Sequence, residues 1–134
     1  MQFDHSIKKP VDHVYDYLTD AQKFVSVHPV IYKIEKLANN ELLIYEKLKL
    51  LFIPVKFTYK ATITGNRNLK TVVMRANIKG MAKIQMYFKL EDISGHTSIK
   101  ESIEFRSFLP VKFIMKSVFR KQHRLLFQNI GNNK

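Results

Sequence analysis

Glu101 is the residue whose position most invites chemistry. It stands between Ile99 and Ile103 in the alternating set Thr97, Ile99, Glu101, Ile103, Phe105, on the face that this pattern assigns to a core. A carboxylate there is costly unless it is paired or protonated, and a buried carboxyl with a proton partner is the usual material of acid/base catalysis. Gln122 is a second polar side chain among apolar neighbours, either an amide that faces a ligand or a residue at a loose end of the core. Beyond these two the chemical motifs are missing. The four glycines, Gly65, Gly80, Gly95 and Gly131, each fall at a turn or a helix end, so no glycine-rich loop is expected to cradle phosphate. There is no G-x-S-x-G elbow, no H-E-x-x-H and no pair of histidines four apart. The five histidines, His5, His13, His28, His96 and His123, are scattered, and with no cysteine present neither a metal site nor a cofactor is expected.

The elements that must position these residues begin with a long helix from Pro110 to about Asn129. A wheel at 3.6 residues per turn puts Val111, Ile114, Met115, Val118, Phe119, Leu125 and Leu126 on one face and Lys112, Lys116, Arg120, His123 and Arg124 on the other. Phe113 and Phe127 fall on the basic side. Pro110 suits the first helical position and Gly131 the residue that ends the helix. Burying seven such side chains contributes on the order of 10–20 kcal/mol before entropy is charged, so this helix needs a sheet to lie on.

The rest of the chain supplies that sheet. Phe3, His5 and Ile7 alternate with polar residues, which predicts a half-buried strand with His5 inward. Pro10 opens a short helix with Val11, Val14, Tyr15 and Leu18 at helical spacing, and Asp20 can cap a second from Ala21 to about Val27, stopped by His28-Pro29. From Val30 to Phe105 the chain reads as six strands with turns at Asn39-Asn40, before Pro54, and at Gly65 to Asn68, Lys79-Gly80 and Ser94-Gly95. Polar residues on one side of each strand and apolar residues on the other predict an antiparallel sheet with one covered face.

Composition sets the frame. At 134 residues and 46% hydrophobic content, a single domain spanning 1–134 is expected. The start MQFDHSIKKP lacks the apolar run of a signal peptide and no stretch is long enough to span a bilayer, so a cytoplasmic protein is the simplest expectation. The net charge of +12 comes from 23 Lys+Arg against 11 Asp+Glu, and no acidic residue follows Glu104. Such a field can attract nucleic acid, anionic lipid, an acidic partner or an anionic ligand, or it can be a solvated face with no specific role.

In this order of elements, α+β with a β-α-α-β6-α succession, the chain resembles the helix-grip fold of the START-like and Bet v 1-like superfamily, which includes polyketide cyclases. The local markers are KKPVDHVYDYLTD after the first strand and FLPVKFIMKSVF entering the last helix. The glycine-rich loop of Bet v 1-like members is replaced here by Leu51-Phe52-Ile53-Pro54, which argues against carrying phosphate or nucleotide binding over. The resemblance implies a curved antiparallel sheet of about seven strands wrapped around the C-terminal helix, with a cavity for a small hydrophobic ligand between them. Phe57, Tyr59, Met74, Met86, Phe88 and Phe105 would line it from the sheet together with Glu101, and Met115, Phe119 and Gln122 from the helix.

Because the first and last strands are neighbours in the resembled fold, His5 can approach Glu101 as an acid/base pair. The alternatives are a structural hydrogen bond, or a bulge that turns Glu101 to solvent. Strand parity brings Leu51, Phe52, Ile53, Phe108 and Leu109 to one end, a cavity mouth collared by lysines, although Phe52 and Phe108 can equally fold back as plugs. The expected function is binding or transport of a hydrophobic or amphipathic molecule. Its competitors are a cyclase or aromatase-type enzyme using Glu101 and His5, and a basic module on an anionic membrane surface. Nucleic acid ranks last among partners, since aromatics are not interleaved with basic residues on an evident strand platform.

Overall fold

The computed structural model describes residues 1–50 and 52–133. Among them, seven strands form one antiparallel sheet in the order β1-β7-β6-β5-β4-β3-β2: β1 (Gln2–Ile7), β2 (Ile31–Lys36), β3 (Leu42–Leu50), β4 (Ile53–Asn66), β5 (Thr71–Ile78), β6 (Ala82–Ile93) and β7 (His96–Ser107). Every connection from β2 to β7 joins neighbours, and the chain's first strand closes against its last, with His5 opposite Ile99 and Phe3 opposite Glu101. Two helices, α1 (Val11–Thr19) and α2 (Ala21–Val27), lead from β1 to β2, and α3 (Lys112–Asn132) crosses the concave face. This is the α+β helix-grip architecture that the succession of elements predicts.

Local chemistry accounts for the joints. The Asp20 carboxylate accepts from the Lys23 N–H and so caps α2, while Thr97 donates its hydroxyl to the Lys9 carbonyl and pins the β1–α1 connection to β7. Arg67, in the β4–β5 turn, reaches Asp12 and Asp16 of α1 at 3.1 and 2.8 Å and lies 4.3 Å over the Tyr15 ring. The main core gathers Val14, Leu18 and Phe24 from the short helices, Val72, Phe88, Leu90 and Ile99 from the sheet, and Leu126, Phe127 and Ile130 from α3. A second cluster of Phe3, Ile103 and Phe119, with Met115 and Phe105 against it, continues the packing towards the start of α3.

The last helix departs from its wheel. Its buried stripe is Phe119, His123, Leu126, Phe127 and Ile130, so His123 and Phe127, which the wheel assigned to the basic face, point into the core, whereas Leu125 is exposed. The spacing of these five residues is an unbroken i, i+4, i+7, i+8, i+11 stripe. The wheel missed it by ranking His123 with the lysines. Helix α3 also starts later and ends later than Pro110 and Gly131 suggest. Gly131 lies inside the helix, where an added Cβ would sit 3.0 Å from the Ile7 side chain, so the glycine serves close approach of α3 to β1 rather than chain reversal.

Candidate functional site

A single carboxylate gathers three elements. Glu101 Oε1 accepts a hydrogen bond from His5 Nε2 of β1 at 3.0 Å, and its Oε2 accepts from His123 Nδ1 of α3. His5 is two residues from the register partner of Glu101, so it arrives on the diagonal that long side chains can span. Glu101 and His123 are buried, and His5 is nearly so, its ring packed 4.4 Å from that of Phe127. Burial alone would push the Glu101 carboxyl up. The hydrogen bonds from His123 and His5, with their charge, outweigh it and hold Glu101 below the usual carboxylate value.

Between α3 and the sheet lies a narrow cavity of about 90 Å³. Phe57, Tyr59, Met74, Met86 and Phe88 border it from the strands, and Met115, Phe119 and Gln122 from the helix. Glu101 and Phe105 do not. Glu101 stands behind His123, which does border the cavity, and Phe105 packs edge-on to Phe119 in the second core cluster. With Nδ1 engaged by Glu101, Nε2 is the His123 ring nitrogen left for a ligand.

Four polar lining residues were not among those expected from the sequence: His123, Glu46, His28 and Arg75, the last also edging the outer face of the sheet. Glu46 projects inward from β3 between Ile44 and Leu48 and is buried. Burial pushes its carboxyl up to about 7 against the opposing hydrogen bond of Tyr59 and the charge of His123. Tyr59 is raised well above the usual phenol value by its own burial and by Glu46. The signal for Glu46 was present, since Leu42, Ile44, Glu46 and Leu48 alternate as Ile99, Glu101 and Ile103 do.

His28 lies at the end of α2, where its Nδ1 accepts the N–H groups of Val30 and Ile31 at 3.2 and 3.0 Å. A doubly protonated ring cannot accept either bond. Burial first, and the charge of His123 second, lower its pKa to about 3. The unfolded chain therefore takes up this proton first, and stability falls as pH drops from about 6.5 towards 3. The expected result in side-chain NMR is a His28 ring still neutral at about pH 5, where an ordinary histidine is charged. A charged ring at that pH would contradict the acceptor role of Nδ1.

Of the expected cavity-mouth residues, Leu51 lies outside the described residues. Phe52, Ile53, Phe108 and Leu109 are exposed at the end of the sheet where β3 meets β4 and β7 leads to α3, and none of them borders the cavity or plugs it. The outer face of the sheet carries a wider, open depression edged by Lys60, Arg75, Lys83, Glu104 and Arg106. These charged side chains are all exposed to solvent, so the candidate site is the inner cavity, where carboxylate and imidazole groups are buried.

No family model and no curated protein matches the sequence. Solved structures match the fold over nearly the whole chain. A START superfamily protein from Mycobacterium smegmatis superposes with a TM-score of 0.78 at 11% identity, over 98% of this chain and 93% of that one. The Zhui aromatase/cyclase from Streptomyces sp. R1128 gives 0.78 at 9% identity, over 97% and 89%. Ara h 8.0201 gives 0.75 at 15% identity, over 98% and 93%. At these identities the likeness is one of fold, and the chain has the START-like, Bet v 1-like helix-grip fold.

Proposed function

We propose that the chain binds a small hydrophobic or amphipathic molecule between the sheet and α3, with the polar end of the ligand against Glu46, Tyr59 and His123. The observation that carries this reading is the convergence of those three groups on a space lined mainly by apolar side chains. At about 90 Å³ the space is smaller than the ~300 Å³ at which ligand pockets usually begin. The ligand is therefore either only a few atoms across or admitted by outward movement of α3, whose first turn has neither a side-chain cap nor an acidic residue to hold it.

Native mass spectrometry of freshly purified protein, before and after organic extraction, tests the proposal. A small lipid-like adduct that extraction removes is expected. Ala61 and Ala76 face each other across β4 and β5 at the cavity floor, and the Ala61→Leu, Ala76→Leu variant should carry no adduct. Wild-type protein without any adduct, which also fails to take up a hydrophobic dye, would overturn the reading.

One observation favours catalysis on the same site. Glu101 holds Nδ1 of His123 so that Nε2 is placed as a base, and Glu46 with Tyr59 supplies proton donors to the same space. In this second reading the cavity moves protons on a carbonyl compound, as a cyclase or aromatase would. Glu101→Gln separates the two readings when assayed with the compound that extraction releases: an enzyme loses turnover and keeps binding, whereas a carrier has no turnover to lose.

A further inference from the structure

We infer that the end of the sheet formed by the β3–β4 turn, the β5–β6 turn and the β7–α3 connection is a docking surface for an anionic lipid bilayer. Three phenylalanines stand out from it into water: Phe52 is 95% exposed, Phe108 75% and Phe113 92%. Ile53, Met81 and Leu109 are exposed beside them, and Phe108 shares one open depression with Gly80 and Met81, so the turns form a continuous rim. An exposed apolar group of this size on a monomer marks an interaction surface. Phe52 adds a second sign, because its φ of 74° lies in the left-handed region that bulky side chains avoid, and the conformation leaves the ring in solvent.

The charge of this end fixes the partner. Lys49, Lys56, Lys79, Lys83, Lys112 and Lys116 surround the rim, and all are exposed. The sequence contains no Asp or Glu between Glu46 and Glu91, and none after Glu104. The segments that build this end are therefore free of Asp and Glu side chains, whereas at the opposite end the basic β4–β5 turn has Asp12 and Asp16 of α1 paired with Arg67. The uncapped first turn of α3, with Lys112 in it and Lys116 at the start of the next, adds to the same positive field. A bilayer bearing anionic headgroups takes up both features at once, the rings below the headgroups and the lysines among them. A nucleic acid would satisfy the lysines and leave the rim in water.

Co-flotation with vesicles of phosphatidylcholine containing roughly 30% phosphatidylserine tests the inference. Wild-type protein should float at low ionic strength, largely remain behind at about 0.5 M salt, and show little affinity for pure phosphatidylcholine. The Phe52→Ser, Phe108→Ser, Phe113→Ser variant should lose at least about tenfold in bound fraction, and Lys112→Glu, Lys116→Glu a comparable amount. All five side chains are exposed, so circular dichroism should show both variants folded. The Ala61→Leu, Ala76→Leu variant should float as the wild type does, which separates docking from ligand binding. Three outcomes overturn the inference: wild type that does not float, a triple-serine variant that floats as well as wild type, or binding to duplex DNA without binding to vesicles.

Discussion

Glu101→Leu should lower the free energy of unfolding by about 3–5 kcal/mol at neutral pH, as read from urea denaturation. The leucine fits the apolar strand pattern, so the loss arises from what is left behind: two imidazoles, on β1 and α3, that lose their common acceptor in a buried setting. Glu101→Gln retains an acceptor oxygen but no charge, and should cost less, about 1–3 kcal/mol. Removing the orphans restores the balance. Glu101→Leu combined with His5→Leu and His123→Leu should recover most of the loss, because an apolar set leaves no donor unpaired. If Glu101→Leu alone is as stable as the wild type, the three groups do not act as a buried cluster.

Glu46 should behave in the opposite sense, and only above acid pH. Its folded pKa of about 7 lies above the 4.5 of an ordinary glutamate, so between those values the folded protein holds a proton that the unfolded chain has released. Stability attributable to this group therefore declines as pH rises from about 4.5 to 7 and is level beyond it. Glu46→Gln, which retains an acceptor for Tyr59, abolishes the decline. The variant should be more stable than wild type by up to about 3 kcal/mol at pH 8 and indistinguishable at pH 4. Denaturation curves of the two proteins at both pH values provide the measurement, and parallel behaviour across the range would mean that the Glu46 carboxyl is not held up by burial. If Glu46 and Tyr59 hold the polar end of the ligand, the same carboxyl is kept at the cost of stability for use in the cavity.

The architecture was legible because hydrophobic period and turn chemistry are local. The α2 cap at Asp20, the alternation in β4 and the turn glycines at Gly80 and Gly95 are all read within a few residues. Glu101 was legible for the same reason, as a polar interruption of a strict alternation, and His5 by knowing which strands are neighbours. His123 was not, since its partner is 22 residues away on another element and its helical stripe becomes visible only when histidine is counted as a core residue. Gly131 looked like a helix terminator because the close approach of Ile7, from the far end of the chain, has no local trace. The cavity's size is a difference between the volume the backbone encloses and the side chains that fill it, and alternation of residue types does not encode that difference.

The closure of β1 against β7 has a consequence for how the molecule is made. Six residues at the start of the chain pair with partners some hundred positions later, and the histidine fastening that strand to Glu101 shares its carboxylate with a helix made later still. Loop closure on that scale is slow, and folding rates fall as such long-range contacts come to dominate. During synthesis at about 5–20 residues per second, the β2–β6 meander can pair as it emerges, while β1 waits for β7 and the inner face stays uncovered until α3 arrives. Nascent chains should therefore show early protection in β3 to β6 and late protection in β1, with the apolar concave face open to chaperones for the several seconds between.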